Sequence, residues 1–208
     1  MMRRTYLFLM LTAFCHLLSA QNVTNRVTAY QDFKSAIVLL ANGNALKVGK
    51  ANIFLKNSSL VYKSGAKVLQ ANMNNVSEVK FDDRIYVKID SVMAYRVDTV
   101  GENGLYCATV VDMEAYNMQM ANKRQITNLE ISSQVSMTAL VSPDDEQEYP
   151  LNDYYYFKYN GKFVKAMELY VLRSVPKAKR RLFWAIVREP GFSWTNKDSL
   201  MRLLQTIS

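Results

Sequence analysis

Tyr154-Tyr155-Tyr156-Phe157-Lys158-Tyr159, then Asn160-Gly161, then Lys162-Phe163-Val164-Lys165-Ala166, is the stretch whose reading decides the fold. Aromatic side chains fit a pleated, half-buried surface and are strong strand formers. Asn-Gly accepts the positive φ that both central positions of a type I′ turn require, and that turn has the twist of the strands it joins. Residues 154–166 therefore predict a tight antiparallel hairpin.

Working upstream, short apolar runs alternate with turn-forming residues. Strands are predicted over 36–41 and 45–48, joined through Asn42-Gly43-Asn44, and over 51–55 and 60–62, punctuated by Asn57-Ser58-Ser59 and Ser64-Gly65. Alternation recurs over 76–81, where Val76 and Phe81 fall out of phase and call for a bend or bulge, and over 84–89 after a turn at Asp82-Asp83. Residues 93–100 and 104–112 read as another pair. Turn signals spaced at about ten residues suit an antiparallel meander. Residues 113–124 show no clean period and read as a short helix or a loop, 126–141 as two weak strands, and 142–150 as an acidic loop.

Downstream of the hairpin the period changes. Ser174 and Pro176 are helix-start signals, and Val175, Ala178, Leu182, Phe183 and Ile186 recur at three-to-four spacing up to Arg188. Glu189-Pro190-Gly191 stops that helix. Thr195 or Asn196 then caps a second one, striped by Leu200, Leu203, Leu204 and Ile207. The chain thus reads as an α+β fold: mainly antiparallel β-sheet in meanders and hairpins, with two C-terminal α-helices packed on it. Residues 21–167 form the β-rich region and 168–208 the helical pair of the same domain.

At the other end, Met1-Met2-Arg3-Arg4 precedes an apolar run from Tyr6 to Leu18 that closes on Ser19-Ala20 and turns polar at Gln21. That is the layout of a signal peptide over residues 1–20, and the run is shorter than the roughly 20 apolar residues of a spanning helix. An uncleaved anchor is the rival reading. Lipid attachment at Cys15 is disfavoured by the bulk of Phe14 before it.

Cleavage after Ala20 has chemical consequences. His16 is the one histidine of the 208 residues and Cys15 one of two cysteines, so the mature chain keeps no imidazole and a single thiol, Cys107. Ser-His-Asp and Cys-His hydrolases, the usual zinc sites and an intramolecular disulfide are thereby excluded. Cys107 lies in an apolar strand-like run, which reads as a buried and inert thiol. No cofactor or metal motif is present. The acidic loop lacks the glycine-centred spacing of a known calcium loop.

The precursor carries 26 basic and 18 acidic residues, net +8; without Arg3 and Arg4 the balance is +6. A mild positive excess outside the cytoplasm points away from nucleic acid and towards anionic glycans, lipid head groups or plain solubility. Two candidate ligand surfaces follow. The basic run Lys177, Lys179, Arg180 and Arg181, extended by Arg188, lies away from the apolar helix stripe. Tyr154 and Tyr156, with Tyr149, Tyr155, Phe157 and Tyr159 nearby, offer flat rings for sugar stacking. A solvated helix face and cross-strand packing are the bland alternatives. Carboxylate pairs for acid–base chemistry are Asp82 with Asp83 and Asp112 with Glu114, against turn and capping roles. Asn22-Val23-Thr24, Asn57-Ser58-Ser59 and Asn75-Val76-Ser77 match the glycosylation acceptor pattern.

Taken together, Gly49-Lys50-Ala51-Asn52-Ile53-Phe54-Leu55, Val79-Lys80-Phe81 with Arg84-Ile85-Tyr86-Val87, and Phe192-Ser193-Trp194 with Ser199 to Leu204 resemble the uncharacterised exported proteins common in gut Bacteroidota. The resemblance implies a periplasmic or surface location and brings no functional residues. The expected function is a non-enzymatic exported module that binds a partner or plays an envelope-structural role, the partner being a protein or an anionic glycan, with membrane contact confined to export. The alternatives are a secreted hydrolase using carboxylates alone and an anionic-glycan binder built from Tyr154, Tyr156, Lys177, Arg180 and Arg181. Intact-mass measurement of protein recovered from its native host checks the premise: the chain should begin at Gln21, and one retaining Met1 through Ala20 contradicts it.

Overall fold

The computed structural model describes residues 22–124 and 148–208. The leader, the two weak strands expected over 126–141 and most of the acidic loop lie outside the described residues. Among these residues there are eleven strands: β1 (Val23–Thr24), β2 (Lys34–Leu40), β3 (Ala45–Phe54), β4 (Ser59–Ser64), β5 (Lys67–Gln70), β6 (Val76–Lys80), β7 (Ile85–Ile89), β8 (Val92–Val100), β9 (Asn103–Val111), β10 (Tyr149–Tyr159) and β11 (Lys162–Lys165). They form one antiparallel sheet in the order β1-β10-β9-β8-β7-β6-β2-β3-β4-β5, with β11 on the second half of β10. The hairpin that anchors the reading is present, with Tyr159 opposite Lys162. Asn160 and Gly161 adopt φ of 49° and 78°, as a type I′ turn demands.

The sheet does not stay flat, and single-residue insertions curl it. Lys34 faces Ala51 whereas Ala36 faces Val48, which places one extra residue on β3 at Gly49-Lys50. The two strands expected on either side of that glycine are therefore one, because a bulge and not a turn absorbs it. A second bulge sits at Ser77 in β6, where the phase slip of Val76 and Phe81 called for one; Ser77 Oγ donates to the carbonyls of Leu39 and Leu40 at 2.9 and 3.3 Å. The third is at Val97 in β8. Each strengthens the local twist, and the sheet rolls into a half-barrel.

The corner between β3 and β4 closes the roll. Ser58, in the left-handed region at φ 48°, accepts from Met93 N at 2.7 Å and donates from Oγ to Met93 O at 2.6 Å. Leu55 O accepts from Val111 N at 2.8 Å. The N-terminal segment 22–30 then straps the open side. Val23 and Thr24 pair with Pro150 and Tyr149 of β10, and Thr28 bridges to Phe54 of β3. Buried Asn52 fixes the strap: its Oδ1 accepts from Tyr30 N and Ile53 N, and its Nδ2 donates to the carbonyls of Tyr30 and Asp32.

Four α-helices are described instead of the expected two. The C-terminal pair is present as α3 (Arg180–Val187) and α4 (Lys197–Ile207); α1 (Met113–Arg124) and α2 (Glu168–Ser174) are additional. Asn196 caps α4, accepting from Ser199 N at 2.8 Å, and Leu200, Leu203, Leu204 and Ile207 are all buried as the stripe requires. The first helix of the pair is displaced from its expected phase. Residues 177–179 form a 3-10 turn, which rotates the register, so Phe183 is buried while Ala178 is exposed and Leu182 is 46% exposed. The helices cover Leu105, Phe157 and Tyr159 on one face of β9 and β10, and the Tyr159 hydroxyl donates to Ile207 O at 2.8 Å. A separate core inside the half-barrel joins Val38, Ile53, Leu60, Val79, Phe81 and Met93. No helix among the described residues is long and apolar enough to cross a membrane.

Denaturation of point variants tests these assignments. Leu203→Ala, at a fully buried position, should cost about 3 kcal/mol. Ser58→Ala should cost about 2 kcal/mol by leaving the buried Met93 carbonyl without its hydroxyl donor, the backbone half of the clasp remaining.

Candidate functional site

Alternation along β7, β8 and β9 places Tyr86, Tyr95 and Thr109 on the concave side of the half-barrel, where they line a cavity of about 160 Å³. Thr24, Arg26 and Thr28 reach it from the strap, and Ile53, Leu55 and Ser58 from the β3–β4 corner. Arg26 and Arg84 are exposed and stand at the mouth; Ile53, Leu55 and Ser58 are buried and form the floor. The lining thus combines two guanidinium groups and six hydroxyl side chains, with no carboxylate.

Beside the cavity runs a chain of aromatic rings, three of them phenols. Ring centroids step from Tyr30 to Phe81 (4.8 Å), to Tyr86 (5.8 Å) and to Tyr95 (6.0 Å). The Arg84 guanidinium lies 5.0 Å from the Tyr95 ring centroid, a cation–π distance, and feels the Tyr86, Tyr30 and Tyr95 oxygens. The hydroxyl of Tyr30 is buried and makes no hydrogen bond among the described residues, with the Tyr86 oxygen and the Asp83 carboxylate close enough to influence it. Two carboxylates border the cavity from outside its lining. Asp83 is held by Lys34 at 3.3 Å and lies 3.9 Å from Arg84; partial burial opposes its ionisation, yet its backbone hydrogen bond and Lys34 keep it below the usual carboxylate range. Asp153 Oδ1 accepts from Thr109 Oγ1 at 2.5 Å.

Cys107 lies beside this chain of rings, within hydrogen-bonding reach of the Tyr95 and Tyr155 hydroxyls and 3.9 Å from Thr109 Oγ1. It is fully buried, and burial pushes its thiol up to about 12, so it stays protonated and inert at neutral pH, as its apolar run implied. Burial likewise raises the phenols of Tyr30, Tyr95 and Tyr155.

The residues singled out from sequence do not assemble into one site. Tyr154 and Tyr156 share a face of β10, but Tyr154 is 52% exposed whereas Tyr156 is buried in an outer cluster with Tyr106, Ala108 and Ile89. Lys177, Arg180 and Arg181 are exposed at the start of α3, in the helical layer that covers the opposite face of β9 and β10. Lys179, from the same basic run, closes the end of α4 by donating to the carbonyls of Ile207 and Ser208. Among the carboxylate pairs, Asp112 caps α1 through Glu114 N and Ala115 N and takes a further hydrogen bond from Asn152, while Asp83 pairs with Lys34. These are the capping and turn roles weighed against catalysis. Arg26, Arg84, Tyr86, Tyr95 and Thr109 were missed because they come from four distant segments. The one local signal is Arg84-Ile85-Tyr86, whose spacing of two puts a cation and a phenol on one side of the chain.

No family model, no curated protein and no solved structure matches the chain.

Because the folded state holds the Cys107 and tyrosine protons more tightly than the unfolded chain, whose thiol and phenols titrate near 9.0 and 10.0, the stability they contribute is complete below pH 9.0 and is lost as pH rises beyond it. Urea unfolding midpoints should accordingly fall above pH 9.0, more gently in Cys107→Ala. Thiol labelling of the native protein below that pH should be slow compared with the unfolded chain.

Proposed function

We propose that the protein is an exported, non-enzymatic binding module, acting in the periplasm or at the cell surface, whose half-barrel cavity takes a small anion. The observation that carries the reading is the composition of the lining: Arg26 and Arg84 at the mouth, hydroxyls within, and no carboxylate. Guanidinium forks match carboxylate and phosphate oxygens, and the Thr24 and Tyr86 hydroxyls add donors, whereas the protons of Thr28, Ser58 and Thr109 are held by Tyr30 O, Met93 O and Asp153. Lys34 adds a third cation beyond Arg84, against the two bordering carboxylates Asp83 and Asp153, which leaves the surroundings at net +1.

The size of the cavity narrows the ligand. Its volume of about 160 Å³ is below the roughly 300–1,000 Å³ of drug-sized ligand sites and suits a ligand of few heavy atoms, such as a phosphate or a short carboxylic acid. Export rests on the leader over residues 1–20 and accords with the likeness to exported Bacteroidota proteins.

Calorimetry and thermal melts with inorganic phosphate, sulfate and succinate at constant ionic strength test the reading. At least one of these anions should bind saturably and raise Tm. Arg26→Gln and Arg84→Gln should each weaken binding roughly tenfold or more, the equivalent of about 1.5–3 kcal/mol for a charge-assisted hydrogen bond. Failure of all three anions, or binding indifferent to both substitutions, overturns it.

A further inference from the structure

The half-barrel cavity has a neighbour, reached through Thr109, which lines the cavity and donates to Asp153 of a second concavity. The strand β10 and hairpin partner β11 face the connector before α4 across a groove of about 410 Å³, inside the roughly 300–1,000 Å³ of small-molecule sites. Tyr155 and Trp194 line it together with Tyr154 and Tyr156, and Asn152, Asp153, Lys165 and Met167 stand around them. Its character differs from the cavity's, since four aromatic side chains stand with a carboxylate, an ammonium and an amide.

The geometry points to a second binding site here, for the ring of a neutral hexopyranoside. A pyranose presents an apolar C–H face, which prefers the flat face of an aromatic ring, and a girdle of hydroxyls that both donate and accept. Trp194 is a rigid platform: Phe192 meets it edge-on at 5.1 Å, and Phe183 lies behind it at 6.3 Å. Around the rings, Lys165 supplies donors. Asp153 supplies an acceptor whose orientation is fixed, because Thr109 donates to its Oδ1. Asn152 contributes its amide, held through Nδ2 by Asp112 Oδ2 at 2.9 Å. Fixed polar groups beside fixed rings discriminate among hydroxyl patterns without ordering the site at each encounter.

Charge selects the class of sugar. Asp153 lines the groove and Asp198, in the first turn of α4, acts on Tyr155 from nearby; Lys165 is the one cation in the lining. A uronic acid or a sulfated sugar brings a negative group to two carboxylates, whereas a neutral ring meets no such repulsion. Tyr154 and Tyr156, which the sequence nominated, border the same groove. Tyr155 alternates with them along β10, and its partner ring comes from Trp194, some forty residues further along the chain.

The two tryptophans allow a direct readout, because Trp184→Phe in the full chain leaves Trp194 as the sole tryptophan, excited selectively at wavelengths where tyrosine does not absorb. The probes are methyl glucopyranoside, methyl galactopyranoside, methyl mannopyranoside, N-acetylglucosamine, maltose and cellobiose, with galacturonate as the anionic comparator. At least one neutral sugar should shift Trp194 emission saturably at roughly millimolar concentration, the range of a single-ring contact. Asn152→Ala with Lys165→Ala, at the rim and away from the apolar cores, should weaken that binding about tenfold with the far-ultraviolet spectrum unchanged. A flat response to every neutral sugar up to roughly 10 mM overturns the proposal, as does undiminished affinity in the rim variant or tighter binding of galacturonate. Anion binding at Arg26 and Arg84 is measured separately, so neither result decides the other.

Discussion

Ser58 holds the molecule in the shape on which its cavities depend. It sits at the β3–β4 corner in a conformation that costs a non-glycine residue about 1–2 kcal/mol, and its hydroxyl and carbonyl both bond to Met93 of β8. Without that clasp, and the neighbouring bond from Val111 to Leu55, nothing obliges β3 and β4 to lean back over β8 and β9. Bulges at Gly49-Lys50, Ser77 and Val97 supply the curl, and the corner fixes where it ends. The strap over residues 22–30 then covers the remaining side by pairing with β10 at one end and β3 at the other.

Curling brings polar side chains together in a place that is only partly dry. Tyr86, Tyr95 and Thr109 would be scattered on an open sheet; in the half-barrel they line one cavity with Arg26 and Arg84. The same curvature buries Cys107 between two phenols and raises its thiol to about 12, which keeps it out of nucleophilic chemistry at neutral pH. What remains is suited to recognition: fixed donors, aromatic walls and carboxylates held by structural partners. Thr109 joins the two concave sites, lining the cavity itself and donating to the Asp153 carboxylate that lines the groove.

Local pattern carried much of the secondary structure. Asn160-Gly161 fixed a hairpin because positive φ at two successive residues is cheap for that dipeptide and costly for most others. Leu200, Leu203, Leu204 and Ile207 gave the last helix its buried stripe because no turn or bulge interrupts the 3.6-residue period there. Where the reading slipped, a backbone irregularity intervened. Gly49 looked like a break and is a bulge inside one strand, and the 3-10 turn over residues 177–179 rotated the phase of the helix that follows, exposing Leu182.

What the sequence by itself determined is the material: an aromatic-rich antiparallel meander, a helical C-terminal end and a buried thiol at Cys107. These follow from periodicity, turn chemistry and residue inventory, all of which act over a few neighbouring positions. Only the tertiary structure decided which side chains share a cavity. Arg26 meets Arg84, and Tyr155 stands across a groove from Trp194, because strand register, three single-residue bulges and one corner hydrogen-bonded across the sheet set the curvature. Each of these depends on pairings between residues far apart in the chain, and a shift of one residue would turn every side chain of a strand to the other face.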